Sequence, residues 1–235
     1  MSRCEVTRVI SIDMLSDDVL LAVFDFCAGD NPLIFVARHE IEAWHSLVHV
    51  CQRWRSIVFA SPCRLNLRLF CSSVTPPDAL DVWPALPLLI SDHRLSRTLG
   101  SSLALLEHSD RVCQIHFMHI PRLREFKDVL EAMQKPFPEL TELVLWSYNG
   151  TPPVIPDSFL GGSAPRLQNL SLNTILFPRL PELLLSTTHL VGLFLWDIPH
   201  SGYISPEAMV TVLSALTSLE SLHLQASIPI SSIPP

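Results

Sequence analysis

The amino-acid sequence predicts an α+β chain, in which an all-α N-terminal segment precedes an α/β solenoid of repeated strand–helix units. Three observations carry that expectation. Two helical apolar stripes precede Pro62, period-two alternation begins after it, and from residue 112 an apolar pattern recurs at intervals of 23 to 29 residues.

The first element is a helix over about 17–27. Ser16 stands at its N-cap position, and Asp17 and Asp18 place negative charge on the first turn, where the helix dipole favours it. Val19, Leu20, Val23, Phe24 and Cys27 form its apolar stripe, and Gly29-Asp30-Asn31-Pro32 ends it. A longer helix is expected over about 40–59, with Ile41, Trp44, Leu47, Val48, Cys51, Trp54 and Val58 along one side and Arg53 and Arg55 beside them. Ser61-Pro62 stops it.

Beyond Pro62, Leu65, Leu67 and Leu69 alternate, as does part of 86–90, which reads as short strands. Leu95, Leu99, Leu103 and Leu106 have helical spacing, so 66–110 reads as a linking strand and helix segment. The repeat then has apolar residues at its positions 1, 4, 6 and usually 9. Its copies are Val112/Ile115/Phe117/Ile120, Leu140/Leu143/Leu145/Tyr148, Leu167/Leu170/Leu172/Ile175, Leu190/Leu193/Leu195/Ile198 and Leu219/Leu222/Leu224, with Ser227 ending the series.

Between these strands lie helical stripes: Leu123, Phe126, Val129, Leu130 and Met133 after the first copy, and Leu180, Leu183 and Leu184 after the third. After the fourth, Ser205-Pro206-Glu207 combines a cap, proline at N1 and an acid in the first turn, and Met209, Val212, Leu213 and Leu216 follow on one face. The period is that of leucine-rich repeats, and 111–235 reads as a degenerate array of them. The Asn or Cys usual at position 9 is replaced by Ile or Tyr, so the bends must close in another way. The chain stops at Pro235 after the fifth strand with no amphipathic cap, which reads as a truncated product or a fragment.

Composition narrows the function classes. A formal charge of −7 argues against nucleic acid as the main partner, since phosphate binding requires a basic patch. Twenty prolines against seven glycines fit punctuation of ordered elements rather than a flexible linker. Cys4, Cys27, Cys51, Cys63, Cys71 and Cys113 form no CxxC pair. The start of the chain lacks the apolar core and cleavage site of a signal peptide, and apolar runs such as 19–28 are broken by Asp25. The expectation is an intracellular protein, cytoplasmic or nuclear, without a membrane partner.

Residues 12–65 resemble an F-box, of the type found in fungal proteins, with the domain expected over 10–65. The resemblance is carried by Ile12-Asp13-Met14-Leu15-Ser16-Asp17-Asp18-Val19-Leu20 with Val23-Phe24, and by Leu47-Val48-His49-Val50-Cys51-Gln52-Arg53-Trp54-Arg55-Ser56-Ile57. Ser16 replaces the family's usual proline, and 29–40 is longer than a minimal loop. The resemblance implies helices that dock on the adaptor subunit of a cullin–RING ubiquitin ligase, and through it on a cullin. By motif position, the adaptor-binding residues are Leu15, Val19, Leu20, Val23, Phe24, Leu47, Val50, Cys51 and Trp54. The plainer reading of the same side chains, Leu20, Phe24 and Trp54 above all, is that they form the segment's own core.

In a leucine-rich strand, positions 5 and 7 face away from the leucines. They hold His116, Val144, Ser171, Phe194 and His223, and Met118, Trp146, Asn173, Trp196 and Gln225. His116, Met118, Trp146, Phe194, Trp196 and His223 are the substrate-binding candidates, aromatic side chains on such a face being what a binding hot spot uses.

Catalytic motifs do not assemble. His45 and His49 are spaced for a shared metal, but the Glu of HExxH is missing, and His116 with His119 fares no better. Gly161-Gly162-Ser163 is not a nucleophile elbow, and Cys51 lies in an apolar stripe. The expectation is therefore a non-enzymatic substrate receptor of the ligase, with no cofactor and no metal. The alternatives are a repeat scaffold acting outside a ligase, a receptor inactivated by truncation, and a hydrolase whose nucleophile has escaped notice.

Overall fold

The computed structural model describes residues 12–28, 43–73, 75–76, 79–92, 100–120, 123–148, 151–199 and 204–226. Cys4, the expected break at Gly29-Asp30-Asn31-Pro32, Ile41, Leu95, Leu99 and the end from Ser227 to Pro235 lie outside them, as do the side chains of His119 and Ile120. The chain divides into two units, 1–68 and 69–235.

In the first unit a 3-10 turn at Ile12–Met14 leads into α1 (Asp17–Ala28), followed by α2 (Ala43–Val48) and α3 (Gln52–Ala60). The cap of α1 is as expected, with Ser16 Oγ 3.5 Å from the Val19 amide. Leu20, Phe24, Trp44, Val48 and Val58 are buried between the helices, and Phe24 packs on Trp54. The single long helix expected over 40–59 is instead two short ones. Cys51 takes an extended conformation (φ −158°, ψ 170°) and starts α3 afresh. Two arginines hold this break. Arg55 Nε donates to the Val48 carbonyl at the end of α2 (2.9 Å), and Arg53 Nη2 donates to the Leu15 carbonyl and the Asp17 carboxylate, both at 2.6 Å.

The second unit is one seven-stranded sheet, all parallel, in sequence order β1 to β7. Its elements are β1 (Leu69–Cys71), α4 (Ala79–Val82), β2 (Leu88–Asp92), α5 (Gly100–Leu106), β3 (Val112–Ile120), α6 (Leu123–Ala132), β4 (Glu142–Ser147), a 3-10 turn at Phe159–Gly162, β5 (Asn169–Asn173), α7 (Leu180–Leu185), β6 (Gly192–Ile198), α8 (Pro206–Ala215) and β7 (Ser221–Ala226).

This corrects the expected fold class. The described residues form an α/β fold built on a seven-stranded all-parallel sheet, not α+β with an all-α F-box set before a solenoid, and among them no N-terminal all-α F-box-like domain is evident. Two physical reasons account for the difference. The segment 66–110, expected to link two domains, supplies β1 and β2, so strand and crossover alternate from residue 69 onward, as parallel neighbours require. In the N-terminal unit, the break at Cys51 replaces the single helix expected over 40–59 by two short ones.

The five copies of the repeat lie side by side. Ile115, Leu143, Leu170, Leu193 and Leu222 are successive register partners, and so are Phe117, Leu145, Leu172, Leu195 and Leu224. Through β6 these side chains are buried, together with Phe126, Val129 and Leu130 of α6 and Leu180, Leu183 and Leu184 of α7. On β7 the same two positions, Leu222 and Leu224, are 45% and 48% exposed. Ser205 caps α8 as expected, its Oγ accepting from the Ala208 amide at 3.2 Å.

In the third and fourth copies the bend, lacking Asn at position 9, closes through position 8. Thr174 (φ 52°) and Asp197 (φ 47°) occupy that place in consecutive copies, both in the left-handed region, and Ile175 at position 9 is buried. The Thr174 amide donates to the Trp196 carbonyl (3.0 Å), and a second tier of backbone bonds joins Ile155 and Leu176 (2.8 Å). Among the described residues, no helix is long and apolar enough to cross a membrane.

Candidate protein-interaction surfaces

Helix α1 is apolar on two sides. Leu20, Leu21 and Phe24 point into the N-terminal core, whereas Val19 (46% exposed), Val23 (43%) and Phe26 (88%) lie at i, i+4 and i+7 and face outward. At 100° per residue the two stripes sit roughly 140° apart around the helix. An isolated packed helix needs only one such stripe. Ile12 and Met14 in the turn before α1, and Val50 in the break between α2 and α3, are also exposed apolar side chains.

The residues assigned to adaptor binding by motif position therefore divide. Val19, Val23, Val50 and Cys51 are exposed, and Leu15 and Trp54 are half-buried. Leu20, Phe24 and Leu47 are buried inside the unit and belong to its core. Ile12, Met14 and Phe26 escaped the sequence-based choice. Phe26 was detectable as the i+7 continuation of Val19 and Val23, once the helix is allowed two stripes.

In the second unit, the sheet face opposite the leucines carries positions 5 and 7. His116, Val144, Ser171, Phe194 and His223 form one lateral row across β3 to β7, and Trp146, Asn173 and Trp196 form the next across β4 to β6. Val144 and Ser171 are buried within their row, while His116, Met118, Trp146, Phe194, Trp196 and His223 are half-buried.

Several side chains on this face are held by a neighbour. The Trp146 indole N–H donates to Ser171 Oγ at 3.1 Å, and Trp196 stacks on the His223 imidazole with centroids 3.6 Å apart and planes at 29°. His116 Nε2 lies 3.3 Å from Glu142 Oε1. Gln225 Nε2 donates to Asp197 Oδ1 at 3.1 Å. The Phe194 ring lies over Gly192, where a Cβ would come within 2.8 Å of it and 2.5 Å of Asn169 Oδ1. Ser171 and Glu142 are not among the binding candidates that the sequence offers. Their role follows only from the lateral register that brings them beside Trp146 and His116.

The residues weighed for chemistry are dispersed. His45 lies on α2, edge-on to Trp44 at 4.0 Å, and burial, aided by His49, holds its pKa below the ordinary value. His49 falls beyond the end of α2. Burial pushes the Cys71 thiol up to about 11 despite the opposing charge of Arg111, which makes it a poor nucleophile. Gly161 and Gly162 have positive φ and complete the turn that leads toward β5. Among the described residues, no three His, Cys, Asp or Glu side chains are grouped to hold a metal ion.

Comparison of the chain with protein-family models, with curated proteins and with solved structures gives no match.

Proposed function

We propose that this chain is a non-catalytic interaction protein that serves as a substrate receptor of a cullin–RING ubiquitin ligase in the cytoplasm or nucleus. The N-terminal helices dock on the ligase adaptor, and the sheet face bearing Trp146 and Trp196 holds the protein to be modified. Ubiquitin transfer is performed by other subunits, and this chain contributes proximity and orientation.

The observation that carries the reading is the second apolar stripe of α1. Val19, Val23 and Phe26 leave a contiguous apolar strip in water, and Val19 and Val23 are among the positions that the sequence resemblance assigns to the adaptor. Groove-binding helices display this i, i+4, i+7 set of anchors. Covering Phe26 would contribute about 1.5–3 kcal/mol, and covering what remains open of Val19 and Val23 roughly half as much each, before the costs of association are subtracted.

The test is titration of the purified adaptor into the full chain, followed by calorimetry. A one-to-one complex is the expected result. No heat of binding from a chain that is folded by circular dichroism would overturn the ligase reading and leave an interaction scaffold acting elsewhere.

A further inference from the structure

We infer that the sheet face carrying Trp146 and Trp196 is a docking ledge for a basic peptide segment, with an Arg or Lys side chain of the partner lying against the indoles. The inference rests on the reading of this face as the partner-holding surface, and it adds the chemistry of what is held.

Three features of the face point to a cation. The first is aromatic placement. Trp146 and Trp196 are second neighbours in one lateral row, with Asn173 between them. Two strand spacings separate them by roughly 9.6 Å, so residues two to three apart in one extended peptide can reach both. Phe194 and His223 continue the aromatic surface in the adjoining row.

The second feature is preorganisation. Trp146 is fixed by its hydrogen bond to Ser171 and Trp196 by its stack on His223, while both remain partly open to solvent. Side chains already held in one rotamer lose little freedom on binding. Indole faces attract guanidinium and ammonium groups through the negative face of the ring.

The third feature is charge. The seven strands contain no Lys or Arg, whereas Glu142 stands in β4 four residues before Trp146 and Asp197 directly follows Trp196 in β6. Among the described residues of this unit the basic side chains lie outside the strands, with Arg111 just before β3, Arg124 and Lys127 on α6, Lys135 just beyond it, and Arg166 and Arg179 in connections. Glu142 Oε1 lies 3.3 Å from His116 Nε2, and Asp197 accepts from Gln225. Carboxylates and indole faces on one surface favour a cationic partner over an acidic one.

The experiment uses the full chain and two fluorescently labelled probes, acetyl-Gly-Arg-Gly-Arg-Gly-amide and its counterpart with Glu in place of Arg, followed by anisotropy. The Arg probe is expected to bind at least tenfold more tightly than the Glu probe. Trp146→Ala and Trp196→Ala should each weaken it about three- to tenfold. The pair Glu142→Gln/Asp197→Asn, which leaves the indoles in place, should weaken it and flatten its salt dependence.

Equal or tighter binding of the Glu probe would overturn the inference, as would undiminished Arg-probe binding by the charge-neutral pair. The adaptor titration is a separate readout, on a separate unit. Arg-probe binding without adaptor binding sinks the ligase reading and leaves this inference standing, and the converse result sinks this inference alone.

Discussion

The rings of Phe24 and Trp54 meet with their centroids 4.7 Å apart and their planes inclined by 55°, and this contact joins α1 to α3. It settles what Phe24 does within the chain. Its side chain is fully buried, so it holds the N-terminal unit together rather than meeting a partner.

Phe24→Ala should therefore cost about 3–5 kcal/mol of stability in the N-terminal unit, through lost burial and the cavity left behind. Urea denaturation followed by Trp54-sensitive fluorescence checks this. A loss under about 1 kcal/mol would mean that the ring is not core.

Gly192→Ala should destabilise the sheet by about 1–3 kcal/mol, since the new methyl would meet Asn169 Oδ1 at 2.5 Å and the Phe194 ring at 2.8 Å. The companion change Gly192→Ala/Phe194→Leu should recover part of that loss. An unaltered urea midpoint in the single variant would show that the Phe194 ring moves aside freely.

Cysteine reactivity should follow burial. In the native protein at pH 8, iodoacetamide should modify exposed Cys27, Cys51 and Cys63 and spare Cys71, whose thiol is buried and raised to about 11. Peptide mass mapping after timed labelling reads this directly. Labelling of Cys71 as fast as Cys63 would contradict its placement on the buried side of β1.

Acid should weaken the N-terminal unit through His45. Burial disfavours its imidazolium, so the folded-state value lies below the ordinary 6.5. As pH falls through about 6.5 the unfolded chain takes up a proton at His45 that the folded chain does not, and stability falls with pH. Urea midpoints at pH 7.5 and 5.5 should show a smaller acid loss for His45→Gln than for the wild type. Equal losses would remove His45 from the account.

The register of the sheet was legible because a period-two pattern with two obligatory leucines leaves one alignment in which every copy buries the same face. Copies starting at Val112, Leu140, Leu167, Leu190 and Leu219 align with no freedom to slip. The fold class was not legible, for a local reason. β1 and β2 are three and five residues long and lack the full repeat, so Leu69 and Leu88 looked like the ends of a link. The break at Cys51 was hidden because no glycine or proline marks it. It is made by an extended residue and by two arginines that reach back to carbonyls 7 and 38 residues away.

The candidate surfaces were legible as residue types and not as exposures. Alternation placed Val144 and Trp146 on one face, yet Val144 is buried there and Trp146 is not, a difference made by lateral neighbours. On α1 the single stripe drawn through Val19, Leu20, Val23 and Phe24 merged two faces. Helical phase separates them once the 100° step is applied strictly.

The most direct measurement is the pair of variants Val19→Asp/Val23→Asp and Leu20→Ala, each assayed for urea midpoint and for adaptor affinity. If α1 buries one stripe and offers the other, the double aspartate variant keeps the wild-type midpoint and loses adaptor binding at least a hundredfold, while Leu20→Ala lowers the midpoint. Adaptor affinity unchanged in a folded Val19→Asp/Val23→Asp protein would contradict the central claim.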